Sequence, residues 1–226
     1  MFRTCLYLSA ILMAGSVAGM CLVQLNKPGN ADWLWRDGRS RTAWLEQLQS
    51  TEETERLEAA AAIGKMGPKV IPDVLEILRE NHSQSVQQAA INTLAQMGEP
   101  AIPALTEECL RQGKFSVGRQ ALVALVKIGR PGVPRWIEML NHNDANRQQL
   151  ALSIIRSIGP DAEDAVPAMS ALLRPDSPYS LADVITTLAA IGPAAKPCLP
   201  ALIDLAECGD DNLASLAEIA ISAIRH

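Results

Sequence analysis

Ile128-Gly129-Arg130-Pro131-Gly132-Val133-Pro134 is the stretch that decides the fold of this chain. It reads as a seam between two helices. An apolar run ends at Ile128, Gly129 stops it, and Val133-Pro134 opens the next helix. Proline suits that place because the first turn of a helix leaves its N–H groups without intrahelical partners. The seam recurs as Met66-Gly67-Pro68 with Ile71-Pro72, and as Met97-Gly98-Glu99-Pro100 with Ile102-Pro103. It returns as Ile158-Gly159-Pro160 with Val166-Pro167, and as Ile191-Gly192-Pro193 with Leu199-Pro200. The glycines stand 31, 31, 30 and 33 residues apart, and the second prolines 31, 31, 33 and 33. Self-similarity at this period marks a solenoid of stacked helical units.

Columns of like residues support the alignment. Eight places before the glycine stand Ala59, Ala90, Ala121, Ala151 and Val184. Four before stand Ile63, Leu94, Leu125, Ile155 and Leu188, and one before stand Met66, Met97, Ile128, Ile158 and Ile191. Offsets of three and four put these on one helix face. The small residue lets a neighbouring helix come close. In the second helix, Ile71, Ile102, Val133, Val166 and Leu199 precede the proline. Val74, Leu105, Trp136, Met169 and Leu202 follow it by two, and Leu78, Cys109, Leu140, Leu173 and Ala206 by six. Trp136 therefore belongs to a packing column and not to a ligand-stacking surface.

Residues 42–48 read as a second helix without its proline, with Trp44 and Leu48 on the core columns. Residues 211–225 read as a last first helix, with Ala217, Ile221 and Ile224 on its columns. The expected fold is an all-α, right-handed α-solenoid of five full pairs with a half-pair at each end, over residues 41–226. An apolar N-terminal helix and a linker at residues 27–40 precede it.

The run Arg56-Leu57-Glu58-Ala59-Ala60-Ala61-Ala62-Ile63-Gly64-Lys65-Met66-Gly67 resembles the first helix of HEAT repeats, closely the short HEAT-like repeats found in phycobilisome lyase proteins. The resemblance covers about four-fifths of the chain. Gln87, Gln148 and Leu181 depart from its arginine column, and Arg119 and Arg147 sit one place off. The resemblance implies a protein-binding scaffold in most members and a lyase or lyase subunit in a minority.

Composition bounds what else is expected. Apolar residues make up 48% and aromatics 4%, and the net charge is −5. No basic stripe points to nucleic acid. No HExxH, GxSxG, phosphate-cradling glycine loop or metal-spaced His/Cys cluster is present, so no catalytic residue, cofactor or metal is expected. His82 and His142 fall in loops as polar surface. Cys109, Cys198 and Cys208 read as packing or free thiols: Cys198 and Cys208 lie ten residues apart around one expected helix, roughly 15 Å and too far to bridge, and no CxxC motif suggests a metal. The acidic seam Asp161-Ala162-Glu163-Asp164 fits a helix start, where the macrodipole favours carboxylates.

Residues 4–25 carry no charge and are long enough to span a bilayer core of about 30 Å. With their flanks, as residues 1–26, they read as an uncleaved single-pass anchor or a long signal peptide, with small residues such as Ala18 permitting cleavage. Met20 before Cys21 argues against lipidation. Arg3 favours one orientation, and Lys27, Arg36, Arg39 and Arg41 the other; the early position favours an extracytoplasmic solenoid. Trp33 and Trp35 fit either a headgroup interface or a cap on the solenoid end.

One solvent-facing column remains. Four places after the proline stand Glu76, Glu107, Glu138, Ala171 and Asp204, and Glu46 extends the column. At 100° per residue it lies opposite the core column. On the concave side, where HEAT-like solenoids carry their second helices, it would form an acidic stripe stepped at about 10 Å. Leu45, Leu75, Thr106, Ile137, Ser170 and Ile203 form a partly apolar strip beside it. The stripe suits a basic or amphipathic protein segment. A solvated face explains it equally, because repulsion at that spacing in water is only about 0.4 kcal/mol. The expected role is a membrane-tethered interaction scaffold. The alternatives are a lyase-type enzyme subunit and a structural envelope spacer.

Overall fold

The computed structural model describes residues 38–80, 83–111, 117–142, 144–174, 180–207 and 209–226. The segment expected to span a membrane lies outside them, as do Trp33, Trp35, His82 and Cys208. Two units divide the chain, Met1–Arg41 and Thr42–His226, and the second holds the repeats.

Among the described residues the regular structure is all helical. A single second helix comes first, α1 (Arg41–Gln47). Five pairs follow: α2 (Glu53–Gly64) with α3 (Ile71–Arg79), α4 (Gln84–Met97) with α5 (Ile102–Leu110), and α6 (Val117–Ile128) with α7 (Val133–Leu140). Next are α8 (Ala145–Ile158) with α9 (Val166–Leu172) and α10 (Leu181–Ile191) with α11 (Leu199–Ala206). A lone first helix, α12 (Asp211–Arg225), closes the series.

Each seam is a short 3₁₀ turn between the stopping glycine and the next proline. Gly129 has φ 65° and ψ −144°, and Gly67, Gly98, Gly159 and Gly192 share that positive φ. A side chain there meets the backbone badly, so the glycine is what turns the chain out of the first helix. In three seams the proline stands five places after the glycine, and in the last two it stands eight places after. The 3₁₀ segments of those two lengthen to Gly159–Ala165 and Gly192–Cys198.

First helices form a continuous row: α2 packs on α4, and so on through α6, α8 and α10 to α12. The alanine column makes this close approach feasible, and Ala59, Ala90, Ala121 and Ala151 are fully buried. Each second helix packs on the first helix that follows it, α3 on α4 through α11 on α12. All five residues two places after the proline are fully buried, Trp136 included. Each such apolar side chain contributes about 1.5–3 kcal/mol on leaving water, more than any exposed ion pair here. At the ends of the columns Met66, Met97, Ile158, Leu199, Cys109, Leu173 and Ala206 are only half-buried.

Leu181–Ala206 spans 26 residues at mean hydropathy 1.3, enough by length and composition to cross a membrane. It is the fifth pair. Gly192 at φ 74° breaks it, Pro193, Pro197 and Pro200 follow, and Val184, Ile185, Leu188, Ile191 and Leu202 are fully buried in the repeat core.

Candidate functional site: the second-helix face

Proline at the first turn fixes the phase of each second helix, so a residue four places on points away from the buried column. Glu46, Glu76, Glu107, Glu138 and Asp204 are all exposed. The side chains of Glu76, Glu107 and Glu138 are 60%, 59% and 64% accessible. The adjoining strip is uneven: Leu75 and Thr106 are buried, Leu45 and Ile137 are half-buried, and Ser170 and Ile203 are exposed.

The stripe is not a bare acidic row. Arg79 Nη1 donates to Glu76 Oε2 at 2.7 Å, and Arg135 Nη1 to Glu138 Oε2 at 2.7 Å. Arg147, at the start of α8, pairs with Glu107 and reaches Asp144 at 3.6 Å. Two of these arginines also tie one repeat to the next. Arg79 pairs with Glu108 of α5, and Arg135 reaches back to Glu99 at 3.0 Å. Glu108 and then Glu76 hold the Arg79 guanidinium above its usual pKa; Glu138 and then Glu99 do the same for Arg135. Over its middle the stripe is therefore a ladder of carboxylates interleaved with guanidiniums. At Glu46 and Asp204 no ion pair forms among the described residues.

Glu107 and Glu138 stand on the rim of one cleft of about 450 Å³ between α5 and α7. Ile102, Pro103, Ala104, Thr106 and Met139 give it an apolar lining, and Arg135, Arg147 and His142 complete the rim. His142 is exposed at the end of α7. Two buried threonines elsewhere satisfy their hydroxyls by donating back one turn, Thr93 to Ala89 O at 2.8 Å and Thr187 to Asp183 O at 2.7 Å. Thr106, 2% exposed, has no partner for Oγ1 among the described residues. A second groove of similar size runs past Cys109, Arg111, Ser153, Arg156 and Asp183. Its charges Arg156 and Asp183 lie 4.0 Å apart, and among the described residues it has no buried unpartnered polar atom.

Other polar groups serve the stack. Arg56 is buried and its Nη1 donates to Ser50 O at 2.8 Å and to Thr51 O at 2.7 Å, tying α2 to the turn before it. Gln148, in the same column, donates to the carbonyls of His142 and Leu140. The third member of the column is Gly118, where a Cβ would lie 3.3 Å from Glu108 O, so backbone packs on backbone instead. The acidic seam also makes contacts that add to the helix dipole. Arg130 of the preceding seam pairs with Glu163 at 2.8 Å and Asp164 at 3.3 Å.

Cys109 and Cys198 are free thiols. Cys109 donates to Gly118 O at 3.4 Å, and burial, with Glu108 second, pushes its pKa up to about 12. Burial also raises Cys198, against a lowering hydrogen bond with Ser170. Neither is a nucleophile at neutral pH, since the thiolate is the reactive form. No group of three or more His, Cys, Asp or Glu side chains placed to hold a metal occurs among the described residues.

Residues 42–130 match the family model described as HEAT repeats. No curated protein matches the chain. Among solved structures, an engineered protein aligns at 20% identity over 80% of this chain and 95% of its own, with a TM-score of 0.40. A second engineered protein aligns at 22% identity over 81% of this chain and 57% of its own, with a TM-score of 0.41. Human deoxyhypusine hydroxylase in complex with glycerol aligns at 20% identity over 82% of this chain and 73% of its own, with a TM-score of 0.41.

Proposed function

We propose that this protein is a membrane-tethered scaffold that binds another protein along the face formed by its second helices. HEAT repeats generally mediate protein–protein interaction, and residues 42–130 match them. The observation that carries the reading is the exposure of one carboxylate in nearly every second helix, on a frame whose opposite columns are buried. An elongated face with regularly stepped charge suits an extended partner, and its sign suits a basic or amphipathic one. Residues 4–25 would supply the tether, by their length and lack of charge, with the repeats on the extracytoplasmic side.

The test neutralises the stripe without crowding its arginines. The triple variant E76Q/E107Q/E138Q keeps side-chain shape, whereas lysine would be set against Arg79, Arg147 and Arg135. Crosslinking in the native cells, followed by identification of captured chains, is expected to lose the partner with this variant while helix content stays unchanged. Capture at the wild-type level by the folded variant would remove the stripe from the interface.

A further inference from the structure

We infer that the cleft between α5 and α7 is the anchor point of this face, and that it takes an apolar side chain flanked by lysine or arginine in an extended peptide. The inference rests on the second-helix face being the contact surface. Three observations converge on the cleft. Its lining is apolar, with Ala104 and Met139 half-buried and about 450 Å³ of space between the helices. A volume of that order accepts a small ligand or a few residues of chain.

The charge around it is unbalanced. Four carboxylates, Glu99, Glu107, Glu138 and Asp144, surround two guanidiniums, Arg135 and Arg147. Both arginines are already engaged twice. Glu107 Oε2 and Glu138 Oε1 accept no hydrogen bond from a described residue, since the arginines take the other oxygen of each. A cation arriving at the rim meets unused acceptors and a net negative field, and an anion meets neither.

Thr106 supplies the third observation. A buried hydroxyl without a partner is a standing cost to the fold, because it has given up its bonds to water. Thr93 and Thr187 avoid that cost within their own helices, and Thr106, which borders this cleft, finds no partner among the described residues. The hydroxyl is closed to solvent as it stands, so a backbone carbonyl or N–H of an extended peptide laid across α5 satisfies it once the side chain turns toward the cleft. Cation, apolar side chain and backbone together specify a short basic-apolar peptide.

A random heptapeptide display library, selected on the detergent-solubilised full chain, is the probe. Enrichment of peptides with Leu, Ile or Met next to Lys or Arg is expected. Ala104→Phe fills the cleft and should weaken the selected peptide at least tenfold. Thr106→Val keeps volume and should weaken it several-fold with the fold intact, so the idea stays testable if the phenylalanine variant fails to fold. Selection of nothing, selection of acidic or uncharged peptides, or equal affinity for wild type and Thr106→Val would overturn it. Should Ala104→Phe still capture the native partner while E76Q/E107Q/E138Q does not, the scaffold reading survives and the cleft is not its anchor.

Discussion

Trp136 is the largest side chain fully buried among the described residues, and it sits where the other repeats place Val74, Leu105, Met169 and Leu202. One residue makes room for it. Four places earlier, the column reads Val70, Ala101, Gly132, Ala165 and Cys198, all buried, so the smallest member faces the largest partner. A Cβ on Gly132 would stand 2.7 Å from Trp136 Cζ2. Gly132→Ala is therefore expected to cost about 1–3 kcal/mol by overpacking. A double-mutant cycle with Trp136→Leu should recover most of that cost. Chemical denaturation of the four proteins gives the coupling, and additive effects would mean the two positions do not share space. The same column explains Cys198 as packing. The sequence showed Trp136 as core because its own column is apolar. The compensating Gly132 stands one turn upstream, but its role depends on how closely the indole packs on it, which a column of residue types does not show.

At the scale of the element, what the sequence disclosed was set by the range of the interaction. Helix ends and apolar faces depend on neighbours within a few residues, and they read directly from the glycine, the proline and the offsets of three and four. Two of the arginines in the stripe were as close: Arg79 lies three after Glu76, and Arg135 three before Glu138. Their presence tempers the acidic reading and was legible as helix-surface pairing. Arg147 with Glu107 spans 40 residues, and Arg79 with Glu108 spans 29. Such pairs exist only once repeats stack, and no local pattern announces them.

The link between α3 and α5 is the strongest polar prediction. Glu108 is 5% exposed, beside Arg79 and with Arg111 at 3.5 Å. Removing Arg79 strips that carboxylate of its nearest counter-charge. Such losses cost about 3–5 kcal/mol when the pair is fully buried. Arg79 is 31% exposed and Arg111 remains, so Arg79→Ala is expected to cost about 2 kcal/mol in urea unfolding. Arg135→Ala, on exposed partners, should cost less than about 1 kcal/mol. Equal costs for the two would show that the buried carboxylate is not held by Arg79.

For the whole molecule, repetition is the physical argument. Each pair exposes an apolar face that only its neighbour covers, so the stack forms as a unit and presents two different surfaces. One is the first-helix row, held close by alanines. The other is the second-helix face, with its stepped carboxylates and the α5–α7 cleft. The repeat order fixed the first surface from sequence alone. The cleft was hidden because its walls come from consecutive second helices, and their separation is a three-dimensional quantity.

Site-specific photocrosslinking compares the two surfaces directly. Ile203 on α11 and Val123 on α6 are equally accessible, at 38% and 39%, and lie on the second-helix and first-helix sides respectively. With a photoreactive residue at position 203, irradiation in native cells should yield a discrete adduct to another chain; at position 123 it should yield none. Adducts at 123 with none at 203 would place the contact on the alanine-packed row and contradict the account.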